Sequence, residues 1–171
     1  MSANVIEASK VRFLAEPSAA RSAPAVTASL VNGHARLSAG PFNWDADLPP
    51  AVGGQNVSPS PTAYLLGALA GCAVVFVHDT LAPELGLRLD EVSAVARCTA
   101  DARGLLGMAG ALPDLGDVAV EIHVVSPEPA DRLRRLFEIW QERCPVYLAL
   151  VKPVPVQATF TTEAGVARSH R

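Results

Sequence analysis

The sequence predicts an α+β protein, built as a single domain over its 171 residues. Three observations point there. Two stretches, "EVSAVARCTADAR" and "DVAVEIHVVSP", alternate apolar with polar residues, the period of a half-buried strand. Another, "PTAYLLGALAGCAVVFV", is apolar on every face of a helix, which marks a helix surrounded by protein. The order of elements is strands, helix, strands, helices, strand. That order fits antiparallel sheets with segregated helices and excludes a doubly wound parallel sheet.

Composition narrows the function. With 50% apolar and 18% charged residues the chain can bury a real core. A net charge of -3 and a pI near 5.8 leave no clustered basic face for nucleic acid or for an anionic membrane surface. The start, "MSANVIEASKVRFL", carries an acidic residue and no apolar core, so no secretory signal is expected. Residues 1–10 and 164–171 read as frayed tails.

The early chain holds "AVTASLV", "HARLS" and "FNWDA", short antiparallel strands separated by the turn signals "VNG" and "SAGP". The loop "LPPAVGGQNVSPSPT" can continue neither helix nor strand. Pro61 suits a first helical position, where its missing N–H costs nothing, and the helix is expected from Thr62 to Leu81. Its charge-free run, Ala63 to Val77, is shorter than the roughly 20 residues a bilayer requires. Polarity returns at His78 and Asp79, and Pro83 and Gly86 punctuate the end.

In the first alternating strand Val92, Ala94, Ala96, Cys98 and Ala100 face inward, interrupted only by Val95 on the polar side. In the second, Val118, Val120, Ile122 and Val124 do so, and the glycine-rich "GLLGMAGALPDLG" connects the two. "SPEPADRLRRLFEIWQERC" then predicts an amphipathic helix with Leu133, Leu136, Phe137 and Trp140 in one stripe that Cys144 continues. Pro145 restarts a short helix, and "PVPVQATFTTE" alternates as a closing strand. One small sheet and one amphipathic helix cover about two sides of the apolar central helix, so a second copy is expected to cover the rest in a homodimer.

Three cysteines, Cys72, Cys98 and Cys144, make an odd set without a C-x-x-C pair, which places the chain by default in the cytoplasm. Cys72 has Ala68, Leu69, Val75 and Phe76 as helical neighbours, so its thiol should be hard to ionise. On composition alone, inert packing is the better reading of Cys72. Cys144 directly precedes Pro145, at or beside the N-cap of a new helix, where free backbone N–H groups stabilise a thiolate. A small residue at a helix break explains it equally well. Cys98, among alanines, reads as packing. His34, His78, His123 and His170 lack metal-site spacing, and "GLLGMAG" lacks that of a nucleotide loop. Trp44 and Trp140 read as core or interface anchors.

Taken together, "GGQNVSPSPTAYLLGALAGCAVVFV" and the later "ERCPVYLAL" resemble the OsmC/Ohr family of osmotically induced and organic hydroperoxide resistance proteins. The resemblance runs from the early hairpin strands through "PVPVQATF". It implies an OsmC-like fold, an intertwined homodimer with antiparallel sheets wrapped around central apolar helices. It also implies a thiol-dependent peroxidase for organic hydroperoxides. Cys72 matches the peroxidatic cysteine and Cys144 the resolving one, so a Cys72–Cys144 disulfide would form and be reduced by a dithiol, in the family typically a lipoylated protein. No metal, haem or flavin is implied.

The sequence departs from the family pattern at the residues that hold the reactive thiolate. Where the family has a glutamate after the helix-opening proline, this chain has Thr62 and Ala63. The family arginine position falls near Val31, leaving Arg36 and Arg21 as substitutes. Two further readings therefore stand beside the peroxidase: a non-enzymatic protein binding an apolar small molecule, and a thiol redox sensor.

Overall fold

The amino-terminal sheet is shaped by its turns. Thr27–Val31 (β1), His34–Ala39 (β2) and Phe42–Ala46 (β3) form an antiparallel meander in the order β1-β2-β3, Val31 opposite His34 and Ala39 opposite Phe42. The first turn is Asn32-Gly33, with φ of 51° and 87°. Two consecutive left-handed residues match the right-handed twist of the flanking strands, which is why Asn-Gly closes such hairpins. These relations come from a computed structural model that describes residues 2–152 and 155–162.

From β3 the chain is handed to the central helix by a pinned loop. The buried carboxylate of Asp47 accepts backbone N–H bonds from Leu48 (2.8 Å), Gln55 (3.1 Å) and Val57 (3.0 Å). Those bonds, Val57 foremost, outweigh burial and hold its carboxyl below the usual carboxylate range. Ser60 then caps the helix, its hydroxyl accepting from the Ala63 N–H at 3.2 Å, and Pro61 takes the first position. Tyr64 ties the new helix back to β3 by donating to the Asp45 carbonyl at 2.6 Å.

The central helix is longer than its charge-free run suggested. Helix α2 spans Pro61–Val75, passes through a π-helical segment at Phe76–Leu81, and ends as Ala82–Glu84 (α3). The continuous rod Pro61–Glu84 has 24 residues, long and apolar enough by length and composition alone to cross a membrane, while its charge-free run remains Ala63 to Val77 as expected. The rod continues because His78, Asp79 and Thr80 do not break a helix and Pro83 falls in its final turn. One side of it forms the protein's core. Ala73, Val77 and Leu81 pack with Leu136, Ile139, Trp140 and Cys144 of the later helices, and Val92, Ala94, Val120 and Ile122 close over them from the second sheet. On its other side Val75 stays 55% exposed, and Leu65, near the start of the rod, is 38% exposed.

The second sheet pairs Glu91–Ala100 (β4) with Leu115–Val125 (β5), antiparallel, with a register shift between Arg97 and Thr99. Val95 faces outward as expected, and Val118 is also 39% exposed, against the inward position expected of it. The irregular register beside Gly116 and Asp117 moves that end of β5 out of the alternating frame. Between the strands the glycine-rich connection contains one short helix, Ala102–Leu105 (α4).

Ala130–Arg143 (α5) and Pro145–Val151 (α6) follow. The buried stripe of α5 is Leu136, Ile139 and Trp140, with Cys144 beyond it. Ile139 replaces the expected Phe137, which is 45% exposed and stacks on Trp140 at 5.6 Å between ring centroids. Positions three apart (133, 136, 139) follow the inner face as well as the expected set, and Ile139 is better aimed at the core.

Two expectations at the ends are corrected. Residues 2–10 are not a frayed tail: Ser2–Ala15 is a helix, α1, and residue 1 lies outside the described residues. It holds neither Gly nor Pro, carries a Glu7–Lys10 ion pair one turn apart (2.8 Å), and is docked through Lys10 to Glu84 at 3.1 Å. Residues 155–162 form no strand, and Val156 and Phe160 are 86% and 91% exposed. Alternation specifies a strand only where a sheet edge and an apolar surface wait for it, and none in the single chain takes this segment. The expected tail at 164–171 lies outside the described residues.

Candidate active site: a paired thiol centre

Two helices bring two sulfurs together from positions 72 and 144. Cys72 sits on α2, half-buried, on the flank next to the core face. Cys144 is the residue between α5 and α6 and is fully buried. A residue before proline is pushed out of the helical region, and Cys144 accordingly has φ −70° and ψ 113°. Its N–H still closes α5 on the Trp140 carbonyl (2.8 Å) and its carbonyl already accepts from Leu148 of α6 (2.9 Å). The thiol thus stands at a fixed bend, and its Sγ lies 3.4 Å from Cys72 Sγ, within hydrogen-bonding reach.

Burial pushes the Cys72 thiol up to about 11, and the adjacent Cys144 sulfur adds to the rise. The backbone N–H of Val146, in the first turn of α6, opposes it by stabilising the thiolate. Each unit of rise lowers the thiolate fraction at neutral pH tenfold, so the single chain holds Cys72 as the thiol.

The cations proposed from sequence are placed elsewhere. Arg36 on β2 is committed to Asp45 on β3, its Nη2 at 3.3 Å from Oδ2. Arg21 makes no ion pair among the described residues, and the structure brings neither arginine into a hydrogen bond with Cys72. Thr62 and Ala63 occupy the first turn of α2 without an acidic group. Cys98, half-buried on β4, stays a free thiol apart from the pair. Among the described residues no three His, Cys, Asp or Glu side chains gather as a metal site.

Sequence reasoning missed one charged group beside the centre. Glu84, at the end of the central rod, receives Arg143 Nη1 on one carboxylate oxygen (2.9 Å) and Lys10 Nζ on the other (3.1 Å). Burial opposes its charge, but the two cations outweigh that and hold its carboxyl below the ordinary range. The Arg143 guanidinium also lies over the Phe76 ring, 5.7 Å from its centroid. The only hint in the sequence was Arg143 next to Cys144; nothing there pairs it with a glutamate 59 residues earlier.

Leu69, Val120, Trp140, Tyr147 and Leu150 line a cavity of about 320 Å³ on this side of the molecule. Leu69 lies one turn before Cys72, and Trp140 and Tyr147 flank Cys144 along the chain. The Trp140 and Tyr147 rings meet at 4.9 Å. The cavity walls are mainly apolar with Gln141 among them, and the two cysteines are not among the residues that line it.

An α+β scaffold with two antiparallel sheets and a sulfur pair held between its central helix and a Cys-Pro bend defines an OsmC-like fold. The OsmC-like protein family model matches residues 53–159, and the chain belongs to that family. Solved structures agree on the fold. An OsmC-like protein from Mycoplasma pneumoniae superposes with a TM-score of 0.64 at 17% identity, covering 77% of this chain and 89% of that one. An organic hydroperoxide resistance protein OsmC from Legionella pneumophila gives 0.59 at 18% identity, with 77% and 90% covered. An organic hydroperoxide resistance protein from Elizabethkingia anophelis gives 0.59 at 13% identity, again with 77% and 90% covered. No curated protein matches the chain.

Proposed function

We propose that this protein is a homodimeric, cytoplasmic thiol peroxidase that reduces organic hydroperoxides. The observation that carries the reading is the 3.4 Å approach of Cys72 and Cys144. Family membership and the hydroperoxide resistance named for two of the similar structures support it.

The Cys72 thiolate attacks the distal peroxide oxygen. A sulfur–oxygen bond forms, the oxygen–oxygen bond breaks, and the alkoxide leaves as the alcohol after taking a proton, giving a Cys72 sulfenic acid. Cys144 then attacks that sulfur, its proton and the displaced hydroxide leave as water, and a Cys72–Cys144 disulfide remains. A dithiol reductant, in this reading a lipoylated protein, restores both thiols by exchange and is itself oxidised to a disulfide. The apolar walls favour fatty or aromatic hydroperoxides. With the Cys72 thiol near 11 in a single chain, the reading requires assembly or substrate binding to stabilise the thiolate further. The exposed Leu65 and Val75 of α2 support the second copy, as do the exposed alternating residues Val156 and Phe160.

Mixing reduced protein with cumene hydroperoxide should consume peroxide in proportion to protein and yield a Cys72–Cys144 disulfide by mass spectrometry. Unchanged consumption by Cys72→Ser would end the assignment. The raised Cys72 thiol favours one second reading, a non-enzymatic protein holding an apolar small molecule in the same cavity. Slow alkylation of Cys72 at neutral pH in the assembled protein, together with a co-purifying apolar ligand, would select it.

A further inference from the structure

The ion pairs around Glu84 connect three parts of the chain. Glu84 ends the rod that carries Cys72, and Arg143 ends the helix that leads into Cys144. Their 2.9 Å contact is therefore a tie between the two cysteine-bearing helices. Arg143 makes a second tie to the same rod over Phe76, one helical turn beyond Cys72. Lys10 holds the remaining carboxylate oxygen from α1, a helix outside the residues that the family model matches. The Glu84 side chain is 17% exposed, whereas Arg143 and Lys10 are 42% and 43% exposed, so solvent screens both pairs in part. The two cations meet the carboxylate on its two oxygens, and Lys10 also pairs with Glu7.

We propose that Glu84 is a positioning residue for the thiol pair: through Arg143 it holds the Cys144 bend against the Cys72 helix, and Lys10 of α1 holds Glu84 in place. The physical need is clear from the distances. The sulfurs stand 3.4 Å apart when reduced and must come to about 2.05 Å in a disulfide. How readily they close depends on their effective concentration, which falls with any small shift of the α5 end relative to the rod. Without this clamp, the bend keeps its backbone bonds to Trp140 and Leu148 and its packing in the core, and loses its tie to the far end of the rod.

The inference rests on the Cys72–Cys144 pairing of the proposed function, but its test uses no peroxide. Reduced full-length protein is equilibrated with mixtures of reduced and oxidised dithiothreitol, and the Cys72–Cys144 disulfide is quantified after acid quench. Closing the disulfide joins the two sulfurs and passes two electrons and two protons to the oxidised dithiothreitol. For Glu84→Gln we expect the equilibrium constant for closure to fall about tenfold, with Arg143→Gln giving the same fall and the double variant no more than either alone. Lys10→Ala should give a smaller fall in the same direction, and Arg143→Lys should recover part of the loss. A residue that merely stabilises the fold supports oxidised and reduced forms equally and leaves this equilibrium unmoved, whatever it does to the urea midpoint. An unchanged constant in Glu84→Gln overturns the inference, as does a double variant with the summed loss. If Glu84→Gln fails to fold, Arg143→Gln and Lys10→Ala decide the matter alone. A wild type that closes normally with dithiothreitol yet ignores cumene hydroperoxide overturns the peroxidase and leaves the clamp standing.

Discussion

Helices α2 and α5 each lead to a sulfur, yet they are built on opposite plans. Helix α5 is polar on one side and buries Leu136, Ile139 and Trp140 on the other, so a single chain satisfies it. Helix α2 is apolar all round and buries only Leu69 and Ala73, while Val75 on the far side stays 55% exposed. An amphipathic stripe declares its one partner; an apolar cylinder asks for partners on every side. The difference teaches that Cys144 belongs to a finished environment and Cys72 to an unfinished one. Cys144 is fully buried, whereas Cys72 sits at the border between the packed and open faces of its helix.

The comparison is tested most severely at Trp140. It is 1% exposed, touches both Phe137 and Tyr147, and sits one turn before Cys144. Trp140→Ala should lower the stability of the fold by about 3–5 kcal/mol, read from urea unfolding under reducing conditions. A loss under about 1 kcal/mol would mean that the α5 side is not the finished core described here.

On the open side the expected effect is smaller and of another kind. Val75→Lys places a charge in the proposed contact between copies, where the desolvated ammonium should cost about 2 kcal/mol of association, roughly a thirtyfold weaker dimer. Sedimentation velocity over a dilution series would show it, while the unfolding of the isolated chain stays close to wild type. Should Val75→Lys leave the association constant unchanged, the exposed side of α2 has another role.

Much of this contrast was legible in the sequence. Two-residue alternation located β4 and β5, the Asn-Gly turn located the first hairpin, and Pro61 located the start of α2, because each is a local rule with a local cause. The thiol pair became legible through the resemblance of the Pro61–Val77 stretch and "ERCPVYLAL" to a known family; spacing alone left Cys72 as packing. What escaped was non-local. Glu84 reaches Lys10 and Arg143 across long separations, and no pattern along the chain records such a meeting. Helix α1 escaped because its weakly amphipathic sequence shows no clear stripe, and its meeting with the end of the rod, Lys10 with Glu84 included, is non-local. The alternation at Val156 and Phe160 was read correctly as a pattern, but a strand also needs an edge to pair with, and one chain does not supply it.

The amino-terminal loop offers a milder check, because it depends on one carboxylate instead of on packing. Asp47 is held ionised by three backbone N–H groups, so its folded pKa lies below its unfolded value. Its contribution to stability is present above the unfolded value, near 3.9, and is lost as pH falls through the depressed folded one. Asp47→Asn should therefore unfold more easily at neutral pH and show a shallower loss of stability on acidification. Urea midpoints at pH 7 and pH 3 for both proteins measure this, and parallel acid profiles would remove Asp47 from the account of the loop.

The smallest effect concerns the unfinished environment itself. With the Cys72 thiol raised to about 11, the unfolded chain gives up this proton first, near 8.5. Between those values the folded state binds more protons than the unfolded one, so stability falls as pH rises, and below about 8.5 the full contribution is present. Replacing Cys72 with alanine removes that slope, and the difference between wild-type and Cys72→Ala urea midpoints should shrink from pH 8 to pH 10. If a second copy supplies thiolate stabilisation, the same subtraction on the assembled protein should flatten or reverse, and alkylation by iodoacetamide should become fast near neutrality. Identical slopes at concentrations below and above dimerisation would show that the open face of α2 leaves Cys72 untouched, and the contrast between the two helices would then concern packing alone.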